Sequence, residues 1–381
     1  MSECLVMAKP VGPLCNLRCG YCYYVGKTHL LEPAHAVMTH ELLKTFIVQR
    51  LSASPGPCTH FEWHGGDPTL AGLDLFRAVV RIQRALCPPG RKITNGLQTN
   101  GVLLDGAWVE FLAREGFSVG LSLDGPAHMH DPYRRTAGGR PTHDQVIRAF
   151  HMLKKGGVFC NVLCVLHLLN AEAPDEVYDF FRSLGVSWLQ FLPLVAPAKG
   201  GGVSPETAAP ETIGYFLCRV FDRWIEEDVG RIVIQTFDEA LRPLYGIPHS
   251  LCVHRETCGD VAVLERDGGF YACDHYVDPA HLVGNIREHS IGELAADPRM
   301  IDFGLVKRDA LPEFCRECGV LSSCNGGCPK DRIATAPDGE HGLNYLCAAY
   351  RKFFTHSRPG LGRLAAHMKA GKPLRAFIAP R

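Results

Sequence analysis

An α/β fold of repeated parallel β/α units, an open six-unit barrel followed by a small cysteine-rich region, is what the sequence predicts. Three observations carry it. Apolar runs alternate with amphipathic stretches up to about residue 230. Eleven of the 17 cysteines fall into two groups, one near the start and one beyond residue 251. Apolar residues make up 46% of the 381 positions and charged residues 21%, so a sizeable core can be buried and a disordered or fibrous chain is excluded.

The elements follow in chain order. Strands are expected at Leu5–Lys9, His60–His64, Gly96–Asn100, Ser118–Asp124, Asn161–His167 and Trp188–Leu194. Amphipathic helices are expected between them at His40–Leu51, Leu73–Leu86, Gly106–Glu115, His143–Lys155 and Ala173–Leu184. Six strand–helix units suit a partial barrel, whose functional groups belong at the C-terminal ends of the strands. Polar residues do gather there: His64 to Asp67, Gln98 to Asn100 and Ser122 to Asp124. The Gly-, Pro- and Ala-rich stretch Ala196–Pro210 reads as a surface loop before a helix at Glu211–Glu227. Beyond Cys252 the pattern changes to short strands and turns. Val261–Glu265 and Phe270–Ala272, joined through Asp267-Gly268-Gly269, read as a hairpin. A basic helical tail is expected after Cys347.

Composition narrows the function. Forty Lys and Arg balance 40 Asp and Glu, so no broad basic surface for nucleic acid is expected. No apolar run reaches the ~18 residues of a membrane span. The first residues lack a basic segment followed by an apolar one, so the expectation is a cytoplasmic protein with no membrane partner. An odd number of cysteines in such a setting argues against a disulfide framework and for metal or iron–sulfur ligation. Cys4, Cys58, Cys87, Cys160, Cys164 and Cys218 are scattered, several in apolar runs where thiols behave as small hydrophobes.

The first group reads C-N-L-R-C-G-Y-C, with Cys15, Cys19 and Cys22 spaced x3 and x2. Three cysteines on one loop can hold three irons of a cubane and leave the fourth open, whereas structural zinc needs four closed ligands. The motif, with an aromatic before its last cysteine, resembles the radical SAM superfamily. The resemblance implies a 4Fe-4S cluster whose open iron chelates S-adenosylmethionine (SAM) and whose reduction yields a 5′-deoxyadenosyl radical. His64-Gly65-Gly66-Asp67-Pro68 is similar to that superfamily's glycine-rich loop, with Asp where Glu is usual; small residues there let backbone approach the ligand closely. Tyr21, Gly65, Gly66, Asp67, Ser122, Arg134 and Leu194 are then the SAM-contacting positions, Ser122 and Arg134 at the ribose or carboxylate. A planar guanidinium suits a carboxylate.

The second group comprises Cys252, Cys258, Cys273, Cys315, Cys318, Cys324, Cys328 and Cys347. Eight ligands suit two fully ligated four-iron clusters, two zinc sites being the other reading. The run C-R-E-C-G-V-L-S-S-C-N-G-G-C-P resembles the SPASM auxiliary-cluster domain. The resemblance assigns Cys252, Cys258, Cys273 and Cys328 to a cluster nearer the active site, and Cys315, Cys318, Cys324 and Cys347 to an outer one. It also implies a radical SAM barrel over 1–230, a SPASM domain over 231–355 and a helical tail over 356–381. A closed cluster binds no substrate but accepts an electron, which fits an oxidation.

Tyr21 to Tyr24, Glu62 to Leu73, Q-T-N-G, S-L-D-G-P, Trp188 to Val195 and Tyr271 to Val277 together resemble the anaerobic sulfatase-maturating enzymes, across roughly residues 5–355. That family converts a Cys or Ser of a sulfatase motif to Cα-formylglycine. The resemblance makes Asp274 the catalytic base, with burial expected to raise its pKa. It makes Tyr24, His64 and Gln98 the substrate-peptide contacts. The partners it implies are an unfolded or nascent sulfatase segment and an electron donor such as flavodoxin or ferredoxin; a monomer is expected. The same scaffold also serves enzymes that crosslink or epimerise ribosomally made peptides, and that alternative stays open on sequence alone.

Overall fold

A computed structural model describes residues 4–24, 26–27, 37–198 and 200–378. The chain divides into two compact units that interleave along it. The first takes in the described residues up to 122, then 130–160 and 259–304; the second takes in 123–129, 161–258 and 305 onward.

In the first unit the strands lie in the order β10-β9-β8-β1-β2-β3-β4. β1 is Leu5–Lys9, β2 Cys58–Trp63, β3 Lys92–Thr99 and β4 Ser118–Ser122. β8 is Val261–Glu265, β9 Gly269–Tyr271 and β10 Leu282–Asn285. β1 to β4 run parallel, as the alternation of strands and helices requires. Their helices, His40–Ala53, Leu73–Leu86 and Gly106–Glu115, begin and end close to the expected positions. Thr39 caps the first, its hydroxyl accepting from the Leu42 N–H at 3.2 Å. Along β2, Thr59, Phe61 and Trp63 are fully buried, while Cys58, His60 and Glu62 occupy the opposite face. Phe46, Phe61, Trp63 and Phe76 meet largely edge to face and form this core.

The hairpin expected after Cys252 is present as antiparallel β8 and β9. Its placement was not legible in the sequence: β8 pairs in parallel with β1, Leu5 opposite Val261 and Lys9 opposite Glu265.

In the second unit β5 (Cys160–Leu166), β6 (Trp188–Pro193) and the two-residue β7 (Val233–Ile234) run parallel. Helices span Pro174–Leu184, Pro210–Glu227 and Gln235–Tyr245, the last unforeseen. In the Ala196–Pro210 stretch Pro197 bridges Val203, and residue 199 lies outside the described residues. The final helix, Cys347–Lys369, starts at the last grouped cysteine and packs on the Pro210–Glu227 helix through Phe221, Phe353 and Gly360. Among the described residues no helix is long and apolar enough to cross a membrane.

Candidate active site

The cysteine loop leaves the end of β1 and is clamped by backbone from both sides. On one side Arg18 N–H donates to Arg135 O at 2.8 Å and Gly20 N–H to Tyr133 O at 3.0 Å. On the other, Gly66 N–H donates to Gly12 O at 2.8 Å and Asp67 N–H to Leu14 O at 3.0 Å. The approach is so close that a Cβ on Gly66 would lie 2.1 Å from Leu14 O. Gly65 has φ +125°, where side chains are rarely tolerated. The glycines thus first serve the seating of the cysteine loop, a reason the motif alone did not reveal.

Asp67 also has a structural part. Its carboxylate is fully buried and accepts from Thr69 N–H at 3.0 Å, Thr99 Oγ1 at 2.9 Å and Asn100 N–H at 2.8 Å. Burial raises its pKa and these bonds oppose the rise. A carboxylate bonded this way ties the loop after β2 to the end of β3. It also accounts for Asp serving where Glu is usual: the partners are within its own loop and one strand away.

Asn100, from the end of β3, donates from Nδ2 to Asn16 Oδ1 at 2.8 Å and lies 3.8 Å from Cys15 Sγ. Burial pushes the Cys15 thiol up to about 12, so a bound cation has to stabilise the thiolate. Iron fits that demand. Beside the loop the Arg134 guanidinium sits 5.5 Å from the Tyr21 ring centre, and Tyr21 packs 5.7 Å from Tyr133. On adjacent strands Gln98 Nε2 donates to Ser122 Oγ at 3.3 Å. Of the SAM-contacting positions expected, Tyr21, Gly65, Gly66, Ser122 and Arg134 share this unit. Leu194 belongs to the second unit, just past β6, its N–H donating to Leu166 O at 2.9 Å.

Asp274 stands in a network that the sequence did not disclose. Lys9 and Glu265, register partners on β1 and β8, are both fully buried, with Lys9 Nζ 3.7 Å from Glu265 Oε1. Lys9 also pairs directly with Asp274, and its ammonium lies 3.6 Å from the Tyr24 ring centre. Tyr24 donates its hydroxyl to Glu265 and Tyr23 donates its own to Asp274. The Tyr23 ring is 45% exposed while its hydroxyl turns inward. Lys27 donates to His275 O at 2.9 Å and Val277 O at 3.1 Å, fixing the turn that carries Asp274.

One expectation changes here. Burial pushes the Asp274 carboxyl up, but the charge of Lys9 paired with it outweighs burial and holds the group below the usual carboxylate range. The expected rise is reversed. Tyr24 is buried at 3% exposure with its hydroxyl donated to Glu265, so it is a member of the network. His64 keeps its role open: burial lowers its pKa, leaving a neutral imidazole, and its buried Nδ1 has no hydrogen-bond partner among the described residues. The available signal for Lys9 and Glu265 was a lysine and a glutamate each closing an otherwise apolar strand, since such charges are buried only when paired.

In the second unit Cys315, Cys318, Cys324 and Cys347 line one apolar pocket with Phe314 and Leu321. Burial pushes the Cys315 thiol to about 11 and that of Cys324 to about 12. Among the described residues no three His, Cys, Asp or Glu side chains converge on a single ion; one cysteine per iron of a cubane needs no such convergence. The four cysteines gathered around one apolar space fit a cluster. The Cys252 loop is held by buried Lys307, which donates to the carbonyls of Cys252, Val253 and Arg255. Glu239 accepts from the N–H groups of Ser250 and Leu251, each at 3.1 Å.

A family model described as the radical SAM superfamily matches residues 10–181, and one described as an iron–sulfur cluster-binding domain, SPASM, matches residues 252–319. A serine-type anaerobic sulfatase-maturating enzyme of Bacteroides thetaiotaomicron is 39% identical, over 93% of this chain and 89% of its own. A cysteine-type counterpart from Clostridium perfringens is 33% identical, over 96% of this chain and 99% of its own. A solved structure described as native anSMEcpe with bound AdoMet and Cp18Cys peptide superposes with a TM-score of 0.87 at 33% identity, covering 96% of this chain and 99% of that one.

Proposed function

The chain belongs to the anaerobic sulfatase-maturating enzymes, radical SAM proteins with a SPASM domain, and from that premise we propose that it oxidises a Cys or Ser of a sulfatase segment to Cα-formylglycine with Asp274 as the base. The observation that carries this assignment is the place of the Asp274 carboxylate, next in sequence to Cys273 and fixed by Lys9 and Tyr23.

The cofactors, three 4Fe-4S clusters and SAM, supply a hydrogen-abstracting 5′-deoxyadenosyl radical and an electron acceptor. The chain's residues do the rest. The target side chain loses two hydrogens in becoming a carbonyl or thiocarbonyl. One would leave Cβ as a hydrogen atom and the other S–H or O–H as a proton taken by Asp274; the electron left over is what the auxiliary clusters held by the eight cysteines would accept. A thioaldehyde from Cys then exchanges sulfur for oxygen with water, releasing hydrogen sulfide; Ser gives the aldehyde directly. Lys9 pairs with Asp274 and holds its carboxylate in place, which also lowers its affinity for a proton. Lys9 also lies beside Glu265, whose carboxyl is pushed up by burial.

Cys15, Cys19 and Cys22 hold the SAM-binding cluster in this reading, with Tyr21, Ser122, Arg134 and Leu194 around SAM and Gly65, Gly66 and Asp67 shaping the loop. Cys252, Cys258, Cys273 and Cys328, and separately Cys315, Cys318, Cys324 and Cys347, hold the auxiliary pair. His64 offers its unpartnered Nδ1 to the peptide, beside Gln98. The setting is a reducing cytoplasm, where thiolates and low-potential clusters persist, and the working form is a monomer served by flavodoxin or ferredoxin.

The test is anaerobic turnover of a peptide bearing Cys-x-Pro-x-Arg or its Ser counterpart, with SAM and reductant, followed by mass. Conversion to the aldehyde with one deoxyadenosine per product is the expected result. Deoxyadenosine without any change in the peptide overturns the substrate assignment and favours another peptide modification on the same scaffold.

A further inference from the structure

The turn between Cys324 and Cys328 is shared property. By the assignment above, Cys324 belongs to one auxiliary cluster and Cys328 to the other. The three residues between them, Asn325, Gly326 and Gly327, all have left-handed backbone, with φ of 48°, 69° and 62°. Asn325 is the one non-glycine residue with positive φ among the described residues. Three such residues in succession cost free energy and persist only where surrounding groups enforce them. Arg332 supplies much of that enforcement. Its Nε donates to Gly326 O at 3.2 Å and its Nη2 approaches Asn325 O at 3.4 Å. Asn344 adds donations to Gly326 O and Cys328 O, each at 3.2 Å, and Asn325 Nδ2 donates to His254 O at 2.7 Å. A Cβ on Gly326 would lie 2.7 Å from Arg332 Nη2 and 2.3 Å from Leu311, so guanidinium and turn are in close packing.

By its bonds to Gly326 O and Asn325 O the guanidinium is held against the turn that Cys324 of one set and Cys328 of the other flank. It is half-buried, and Arg keeps its charge in such places. We infer that Arg332 is a positioning residue for electron transfer: one positive charge, locked to the turn that joins the two auxiliary cysteine sets, raises the reduction potentials of both clusters together. The physical reason is Coulombic. Reduction adds a negative charge to an already anionic thiolate-bound group, and a fixed nearby cation favours the reduced form. Raising both potentials lets the first cluster accept the substrate's electron without making onward transfer uphill. The inference rests on the reading of the clusters as electron acceptors in the maturation reaction, but not on which residue of the peptide is oxidised.

The test uses full-length protein with Cys15, Cys19 and Cys22 changed to Ala, so that only the auxiliary clusters titrate. Iron and sulfide are quantified and both midpoint potentials are read by EPR-monitored redox titration, with no substrate present. In that background R332Q, which keeps a donor but loses the charge, is expected to shift both potentials to more negative values at unchanged iron content. R332K, which keeps the charge but loses the planar fork, is expected to stay at the parental values. Unchanged potentials in R332Q, or a shift of only one cluster, overturn the inference. Should R332Q fail to retain iron, R332M is titrated in its place under the same two outcomes, and R332K potentials displaced from the parental values would assign the effect to the fork's geometry and reject the charge. Peptide conversion by the otherwise native enzyme is scored separately, so failure of the maturation reading leaves a distinct signature.

Discussion

The two cysteine-bearing regions are held by opposite means. In the first unit the Cys15–Cys22 loop is gripped by backbone hydrogen bonds to the segments around Gly66 and Tyr133, and strand register sets the polar residues beside it. In the second, helical turns and left-handed residues present the cysteines, and cationic or amide side chains hold the loops by their carbonyls: Lys307 on the Cys252 loop, Arg332 and Asn344 on the turn before Cys328. The contrast teaches how differently the two can fail. A backbone-clamped loop tolerates side-chain changes but no added bulk at its contact points. A loop held by side chains depends on single residues, each of which leaves buried carbonyls unsatisfied when removed.

Four changes would break or sharpen that contrast. Cys19→Ala is expected to abolish SAM cleavage while iron remains in the eight-cysteine set, measured as deoxyadenosine release and iron content; cleavage retained would reject the first cluster assignment. Asp274→Asn is expected to slow aldehyde formation by about 10²- to 10⁴-fold, the usual worth of a positioned base, while deoxyadenosine is still made. Wild-type turnover there would remove Asp274 from the chemistry. Lys9→Met leaves Glu265 and Asp274 buried without their countercharge, and a loss of about 3–5 kcal/mol in urea unfolding is expected. Glu265→Gln on top should recover part of it, and strict additivity would show that the pair is not coupled. Lys307→Met is expected to cost the least, about 1–3 kcal/mol for unsatisfied carbonyls, with auxiliary iron lost before the Cys15–Cys22 iron. Equal loss from both regions would erase the distinction drawn here.

Much of the first unit was legible because its signals are local. Leu5–Lys9 alternates, turns follow, and Cys15, Cys19 and Cys22 stand at a spacing few other chemistries need. The grouping of Cys315, Cys318, Cys324 and Cys347 around one pocket was likewise foreshadowed by resemblance. What stayed hidden was long-range. Nothing local to Val261–Glu265 says that it pairs with β1, so the meeting of Lys9 with Glu265, and through it the depressed carboxyl of Asp274, could not be read. The partners of Asp67 and Tyr24 stayed hidden for the same reason: a motif names a residue, while the group that meets its polar atoms comes from elsewhere in the chain.

The pairing of β1 with β8 also orders events in time. Tyr24 waits for Glu265 across 241 residues of chain, and Lys27 for Val277 across 250. At ribosomal speeds of about 5–20 residues per second, roughly ten seconds to a minute passes between their synthesis. Through that interval the Cys15–Cys22 thiols have been made but Lys9 has no carboxylate to neutralise, and a one-residue slip when β8 finally docks would turn Glu265 to the wrong face of the sheet. The charge pair of Lys9 and Glu265 thereby favours the observed register of β1 and β8 over a slipped one.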